Sequence, residues 1–275
     1  MKKTALIAAA LAILVGVPTA LVWYGAYDVS ATDQHFASTY WLLDIGMRRS
    51  VVMRARSIEA PPLDDPAKVA RGTRLYSEHC AICHGAPGIA PSEFALGLTP
   101  SPANLVHTAR HWKPAELYWA ISEGIKMSGM PAWSYRLSNE EMWSIVALLR
   151  VMPGMTPFEY RQHVERTTAS GPADVRRSPP ATRPGDARRG VTAIHQYACV
   201  TCHVIPGIVG SSAPVGPPLA GIGSRTIIAG VLPNTRETMI RWLREPQLIR
   251  PQGAMPDLGV SAQDAADIAA YLATL

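Results

Sequence analysis

The sequence predicts an all-α protein in which two small helical domains of one kind follow each other behind an N-terminal transmembrane anchor. A nearly uncharged apolar run begins just after Lys2 and Lys3, and a Pro/Arg-rich stretch with linker composition divides the rest of the chain. On either side of that stretch the same series of features occurs once, and every element that the apolar spacing marks is a helix.

The apolar run extends from Thr4 to about Ala26. At roughly 20 residues it is long enough to cross a hydrocarbon layer and longer than the usual core of a signal peptide. It closes on Trp23 and Tyr24, which favour a membrane interface, and no small-x-small cleavage pattern stands out. Residues 1–27 therefore read as a retained anchor, with a cleaved signal as the alternative. The two lysines ahead of the run hold the N-terminus in the cytoplasm, so the expected location is the inner (cytoplasmic) membrane with the folded domains facing the periplasm or outside. Residues 28–57 form a juxtamembrane segment whose part from Phe36 to Arg56 mixes apolar groups with four arginines. It reads either as an amphipathic helix on the membrane surface or as a helical stalk on the folded domain.

Residues 58–160 read as the first domain. A helix runs from Pro66 to the first cysteine, with Val69, Leu75 and Tyr76 as core candidates. The Gly- and Pro-rich segment from Gly85 to Pro102 predicts irregular chain. Helical pattern returns from Pro114 to Gly124, breaks at Gly129-Met130-Pro131 and resumes at Ser138. There Ser138-Asn139-Glu140-Glu141 matches a capping box ahead of Trp143, Val146, Ala147 and Leu149. Residues 161–185 have linker composition.

Residues 186–275 then repeat the order: a helix with a glycine (Gly72, Gly190), a Cys-x-x-Cys-His pentapeptide, a Gly/Pro loop, a helix with a tryptophan (Trp119, Trp242), Met-Pro, and a capped final helix, here starting at Ser261. The first cysteines lie 119 residues apart and the Met-Pro methionines 125 apart, as a tandem duplication would leave them.

Charge and cysteine usage narrow the chemistry. The net charge of +5 divides as about +3 over residues 1–56, −2 over 57–160, +3 over 161–184 and +1 over 185–275. The folded domains are thus close to neutral, which excludes a nucleic-acid surface. All four cysteines fall inside Cys80-Ala81-Ile82-Cys83-His84 and Cys199-Val200-Thr201-Cys202-His203, so none remains for a disulfide framework. Two sulfurs three residues apart on one helical turn can each form a thioether to a porphyrin vinyl group, and the next histidine lies under the iron. The expected cofactors are two c-type haems, covalently bound through Cys80 and Cys83 and through Cys199 and Cys202, with His84 and His203 as iron ligands.

A sixth ligand has to come from elsewhere, and a neutral, soft thioether sulfur suits ferrous iron. Met130 follows His84 by 46 residues and Met255 follows His203 by 52, each ahead of a proline that stiffens its loop. Met127 competes with Met130. His107 and His111 have the spacing of a helical metal pair and read as surface histidines.

Both halves resemble class I cytochrome c domains, on Gly72, Leu75 and Tyr76 before the first pentapeptide, Met-Pro after it, and a final helix bearing Trp143 or Tyr271. The resemblance covers about 190 residues and implies an all-helical fold around haem with its first and last helices crossing. It also implies a backbone carbonyl from Pro100 or Pro102, and from Pro217 or Pro218, on the proximal histidine. Trp112, Trp133, Arg225 and Trp242 would lie at the haem propionates. The second half departs in having nine residues from Gly190 to Cys199 against eight from Gly72 to Cys80.

By resemblance, tethered di-haem cytochromes of this kind carry single electrons for terminal oxidases, quinol-oxidising complexes or periplasmic dehydrogenases, with no catalytic residue of their own. The alternative is a di-haem enzyme, a peroxidase or sulfur-compound oxidoreductase, with one open or displaceable axial position. A structural zinc held by the four cysteines would leave the histidines and methionines unexplained.

Overall fold

The computed structural model describes residues 2–33, 35–168, 181, 183–209, 215–251 and 253–275. Helix α1 (Lys2–Trp23) is long and apolar enough to cross a membrane, and its described side chains are exposed along its whole length. Helix α2 (Ala37–Ala55) divides along its axis rather than around it, so no apolar stripe runs its length. Its first half exposes large apolar side chains on all sides, whereas its second half joins the folded domain. Val51 and Ala55 are buried there, Arg48 Nη1 lies 2.8 Å from the buried Glu116 carboxylate, and its guanidinium stands 4.4 Å from the centroid of the Trp112 ring.

The chain divides into two compact units, Met1–Pro131 with Asn139–Thr167, and Ala132–Ser138 with Thr168–Leu275. In the first, α3 (Pro66–His79) starts where Asp65 accepts a bond from the Ala67 amide at 2.9 Å and Pro66 fills the first helical position. Leu75 and Tyr76 are fully buried, and Val69 partly so. The short α4 (Ala81–His84) and α5 (Glu93–Leu96) follow. Next come α6 (Leu105–His111), capped by Asn104, then α7 (Pro114–Glu123), α8 (Asn139–Val151) and α9 (Pro157–Thr168).

Helix α9 continues eight residues into the stretch that composition marks as linker. Tyr160, fully buried, ties it to α3 through a 3.3 Å hydroxyl contact with Ser77. Residues 169–180 and 182 of that linker lie outside the described residues.

Helices α3 and α8 cross at Gly72, where an added Cβ would meet the Ser144 carbonyl oxygen at 1.9 Å. That obstacle is backbone inside a helix and cannot swing aside. Gly72→Ala is therefore expected to destabilise the haem-loaded first unit by about 3 kcal/mol, read as a lower urea midpoint with the slope unchanged.

The second unit repeats this construction. Helix α10 (Ala187–Gln196) is capped by Asp186, which accepts from the Arg188 and Arg189 amides. A two-residue antiparallel ribbon, β1 (Ile227–Ile228) with β2 (Leu232–Pro233), precedes α11 (Arg236–Arg244) and α12 (Pro246–Ile249). The last helix, α13 (Ala262–Leu272), begins where Ser261 Oγ accepts from the Asp264 amide at 3.1 Å. It crosses α10 at Gly190, whose Cβ would lie 2.2 Å from the Asp267 carbonyl oxygen. Ile194, Leu243, Ile268 and Leu272 fill the core between these helices.

The unequal spacing before the two pentapeptides has a local explanation. Helix α3 hands directly to α4 at Cys80, but α10 stops at Gln196 and Ala198 takes a left-handed conformation, φ 54°. The extra residue is absorbed there, at a cost of roughly 1 kcal/mol for a non-glycine residue, and the second pentapeptide stays in register.

Candidate functional site

Both pentapeptides fold as the same turn. In the first, the amides of Cys83 and His84 donate to the Cys80 carbonyl at 3.1 and 2.9 Å; in the second, those of Cys202 and His203 donate to Cys199 at 3.2 and 3.0 Å. Each pair of sulfurs therefore leaves one turn, and all four thiols are free. Burial pushes the Cys80 thiol up to about 12 and the Cys199 thiol up to about 11, which keeps both sulfurs neutral where no partner claims them. The two cysteine pairs belong to different units, and among the described residues no three His, Cys, Asp or Glu side chains converge on a metal position.

The histidines are held alike but from different loops. His84 Nδ1 lies 2.7 Å from the Ala103 carbonyl oxygen, and His203 Nδ1 lies 2.8 Å from that of Pro217. A carbonyl can only accept, so each Nδ1 carries the proton and each Nε2 keeps its lone pair for a metal. Burial lowers the His84 pKa, against the opposing pull of the carbonyl, which also favours the neutral ring a metal needs. The resemblance implied Pro217 or Pro218 for His203, and the carbonyl is that of Pro217. For His84 it implied Pro100 or Pro102, and the structure corrects this to Ala103; Pro102 instead lines the cleft beside the ring with Ile89, Pro91 and Val106.

A residue that spacing did not single out completes the second site. The amides of Val215 and Gly216 donate to the Cys202 carbonyl at 3.0 and 2.8 Å, strapping this loop to the pentapeptide. Gly216 faces the imidazole so closely that a Cβ there would lie 2.5 Å from His203 Cε1 and 2.8 Å from Nδ1. Gly216→Ala is expected to tilt the ring off the Pro217 carbonyl. The result should be a lowered yield or shifted potential of the second haem alone, seen by redox titration beside an unchanged first.

Burial separates the two methionine candidates of the first unit. Met127 is 84% exposed at φ 60°, while Met130 is partly buried in a loop closed by the Ile125 amide on its carbonyl and by its own amide on Ser128 Oγ, both at 3.2 Å. Met255 packs against the second core, and Gln247 Nε2 donates to its carbonyl at 2.6 Å. His107 and His111 are both exposed, their ring centroids 4.7 Å apart. Of the residues assigned to propionates, Trp112 is covered by Arg48, and Trp242 packs on the second core. Arg225 donates to the carbonyls of Pro218 and Ala220 at 2.8 and 3.1 Å, bracing the loop behind Pro217. Trp133 is partly buried.

The residues present fit a covalently attached haem in each unit: two thiols on one turn, an imidazole bonded through Nδ1 so that Nε2 can serve a metal, and exposed apolar side chains in the same unit. Ile82, Ile89, Phe94 and Leu96 are exposed in the first unit, and Val204, Ile227, Val231, Leu248 and Leu258 in the second. A porphyrin face is apolar and would cover exposed side chains of this kind.

A helical shell with crossing first and last helices around a Cys-x-x-Cys-His turn defines a cytochrome c-type domain, and the chain carries two of them in tandem behind one apolar helix. Residues 67–149 match the family model of cytochrome c oxidase, cbb3-type, subunit III, and residues 187–275 match that of cytochrome c. The protein is thus a c-type cytochrome that binds haem iron covalently and acts in electron transfer.

Two relatives show the same domain in larger settings. The chain is 33% identical over 90 residues to cytochrome c oxidase subunit 2 of Alkalihalophilus pseudofirmus, covering 32% of this chain and 25% of that protein. It is 26% identical over 141 residues to the quinohemoprotein alcohol dehydrogenase of Comamonas testosteroni, covering 49% of this chain and 19% of that one. The matches therefore span a quarter or less of either relative.

Proposed function

We propose that the protein is a membrane-anchored di-haem cytochrome that passes single electrons between respiratory or periplasmic redox partners. His84 and Met130 would hold one haem iron, and His203 and Met255 the other. The observation that carries this reading is the recurrence of the whole donor set, a pentapeptide turn with its imidazole pinned through Nδ1, in each copy of one fold. The bound haem would supply one-electron chemistry between ferrous and ferric iron. The protein supplies the covalent grip, the orientation of the imidazole and an apolar surround that keeps water from the iron.

With a histidine and a methionine from the chain both holding each iron, no position would remain for a substrate, and the chain would work as a carrier. Helix α1 anchors it in the inner membrane with both domains on the periplasmic side, which keeps the haems near membrane complexes at high effective concentration. The likeness to an oxidase subunit and to an alcohol dehydrogenase supports a terminal oxidase or a periplasmic dehydrogenase as partner, with a quinol-oxidising complex as the further candidate.

The test is a pyridine haemochrome assay with mass measurement on full-length protein made in a host competent for haem attachment, followed by near-infrared spectroscopy. Two covalent haems per chain, each with a sulfur-to-iron band, are expected. One band missing, together with peroxide turnover, would replace the carrier with a di-haem enzyme.

A further inference from the structure

Outside α1, the exposed apolar residues of the first unit include one contiguous group not set beside a pentapeptide. Phe36, Tyr40, Trp41, Leu42, Leu43 and Ile45 occupy the first half of α2, with Tyr40, Trp41 and Leu42 exposed by 61, 63 and 64%. Scattered apolar residues on a surface are ordinary, but a run of this size needs something to cover it.

Three observations point to the bilayer. The first is continuity with α1. In the connecting loop Tyr27 folds back onto His35, to which its hydroxyl is hydrogen-bonded, and onto Phe36, with ring centroids 6.2 and 5.9 Å away. The start of α2 is thereby held against a residue only four positions past the end of α1. The second is the aromatic pair at each of those places, Trp23-Tyr24 and Tyr40-Trp41, residues that favour a membrane interface. The third is the order of polarity. Beyond Gly46 the helix turns basic, and the exposed Arg49, Arg54 and Arg56 follow Trp41 within roughly 25 Å along the axis, where the nearest of them can meet lipid phosphates.

We propose that residues 36–45 dock into the external face of the same bilayer that α1 crosses, as a second membrane contact. The inference rests on reading α1 as a membrane anchor. Its consequence follows from the other half of α2, which is locked to the first domain by Arg48, Glu116, Trp112, Val51 and Ala55. A helix held by lipid at one end and by the domain at the other sets the tilt of the first haem domain on the membrane, so that domain is mounted rather than loosely tethered.

Haem attachment occupies all four native cysteines, so an engineered cysteine in the full-length holoprotein takes a nitroxide label at one place. Leu42→Cys, Leu14→Cys and Arg161→Cys are each labelled and placed in phosphatidylcholine–phosphatidylglycerol vesicles. Power saturation is then compared with oxygen and with a water-soluble nickel chelate. The expected result is a label at position 42 that, like the one at 14, favours oxygen over nickel several-fold relative to position 161.

A label at 42 that behaves like 161 while 14 is deep overturns the docking and leaves the anchor standing. Aqueous behaviour at both 14 and 42 overturns both readings. Spin–spin broadening at 42 that vanishes on dilution with unlabelled chain would put a second copy on this surface and overturn lipid as its occupant.

Discussion

Replacing Cys199 and Cys202 together by serine, then extracting any loosely held haem, is expected to leave one haem per chain and a second unit with no cooperative unfolding transition. That unit is small, and its buried core of Ile194, Met239, Leu243, Ile268 and Leu272 is correspondingly limited. Val204, Ile227, Val231, Leu248 and Leu258 would face water without a porphyrin against them. Domains of this size are marginal on their own apolar surface, and the expected loss is the unit's whole stability, about 5 kcal/mol or more. The first unit should melt as before, because its crossing helices and haem ligands are its own. Hydrogen exchange resolved by segment would read both at once. A native-like cooperative melt of the haem-free second unit would sink the idea that haem completes its core.

The second large effect concerns the axial sulfurs. Met130→His and Met255→His are each expected to abolish one sulfur-to-iron band and lower the potential of one haem, leaving the other unchanged. A second imidazole stabilises ferric iron relative to the softer thioether, and the drop should be on the order of a few hundred millivolts within the ~0.8 V range that axial ligation controls. Met127→Leu should change nothing, since that side chain stands in solvent. Unchanged spectra and potentials in Met255→His would remove Met255 as a ligand and open the second iron to the enzymatic alternative.

These predictions rest on features with very different visibility in the sequence. The attachment turns were fully legible, because thioether formation needs two sulfurs and a base at fixed short spacing and nothing outside five residues takes part. Helix starts were legible for the same reason. Asp65 with Pro66, and Ser261 with Asp264, satisfy free amides inside a single turn. The duplication, and with it Met130 and Met255 as paired candidates, followed from comparing one half of the chain with the other.

What escaped was decided between residues far apart, or by groups every residue possesses. Ala103 serves His84 with a main-chain carbonyl, and no side chain advertises which carbonyl a fold will bring to 2.7 Å. Gly216 matters through the side chain it lacks, against a ring thirteen residues earlier. Helix α5 lies where composition reads as irregular chain and α9 runs on into the linker, held to α3 through Tyr160, 83 residues from its partner Ser77. The juxtamembrane segment allowed two readings because its polarity was taken around the helix. The Arg48–Glu116 contact, spanning 68 residues, shows that polarity divides along it. By itself, then, the sequence determined the cofactor chemistry, the repeat and most helix boundaries, all set by covalent spacing and hydrogen bonds within a few residues. The tertiary structure alone decided which carbonyl orients each histidine, how the extra residue at Ala198 is absorbed and which half of α2 the first domain holds, because each depends on a partner that only the folded chain brings near.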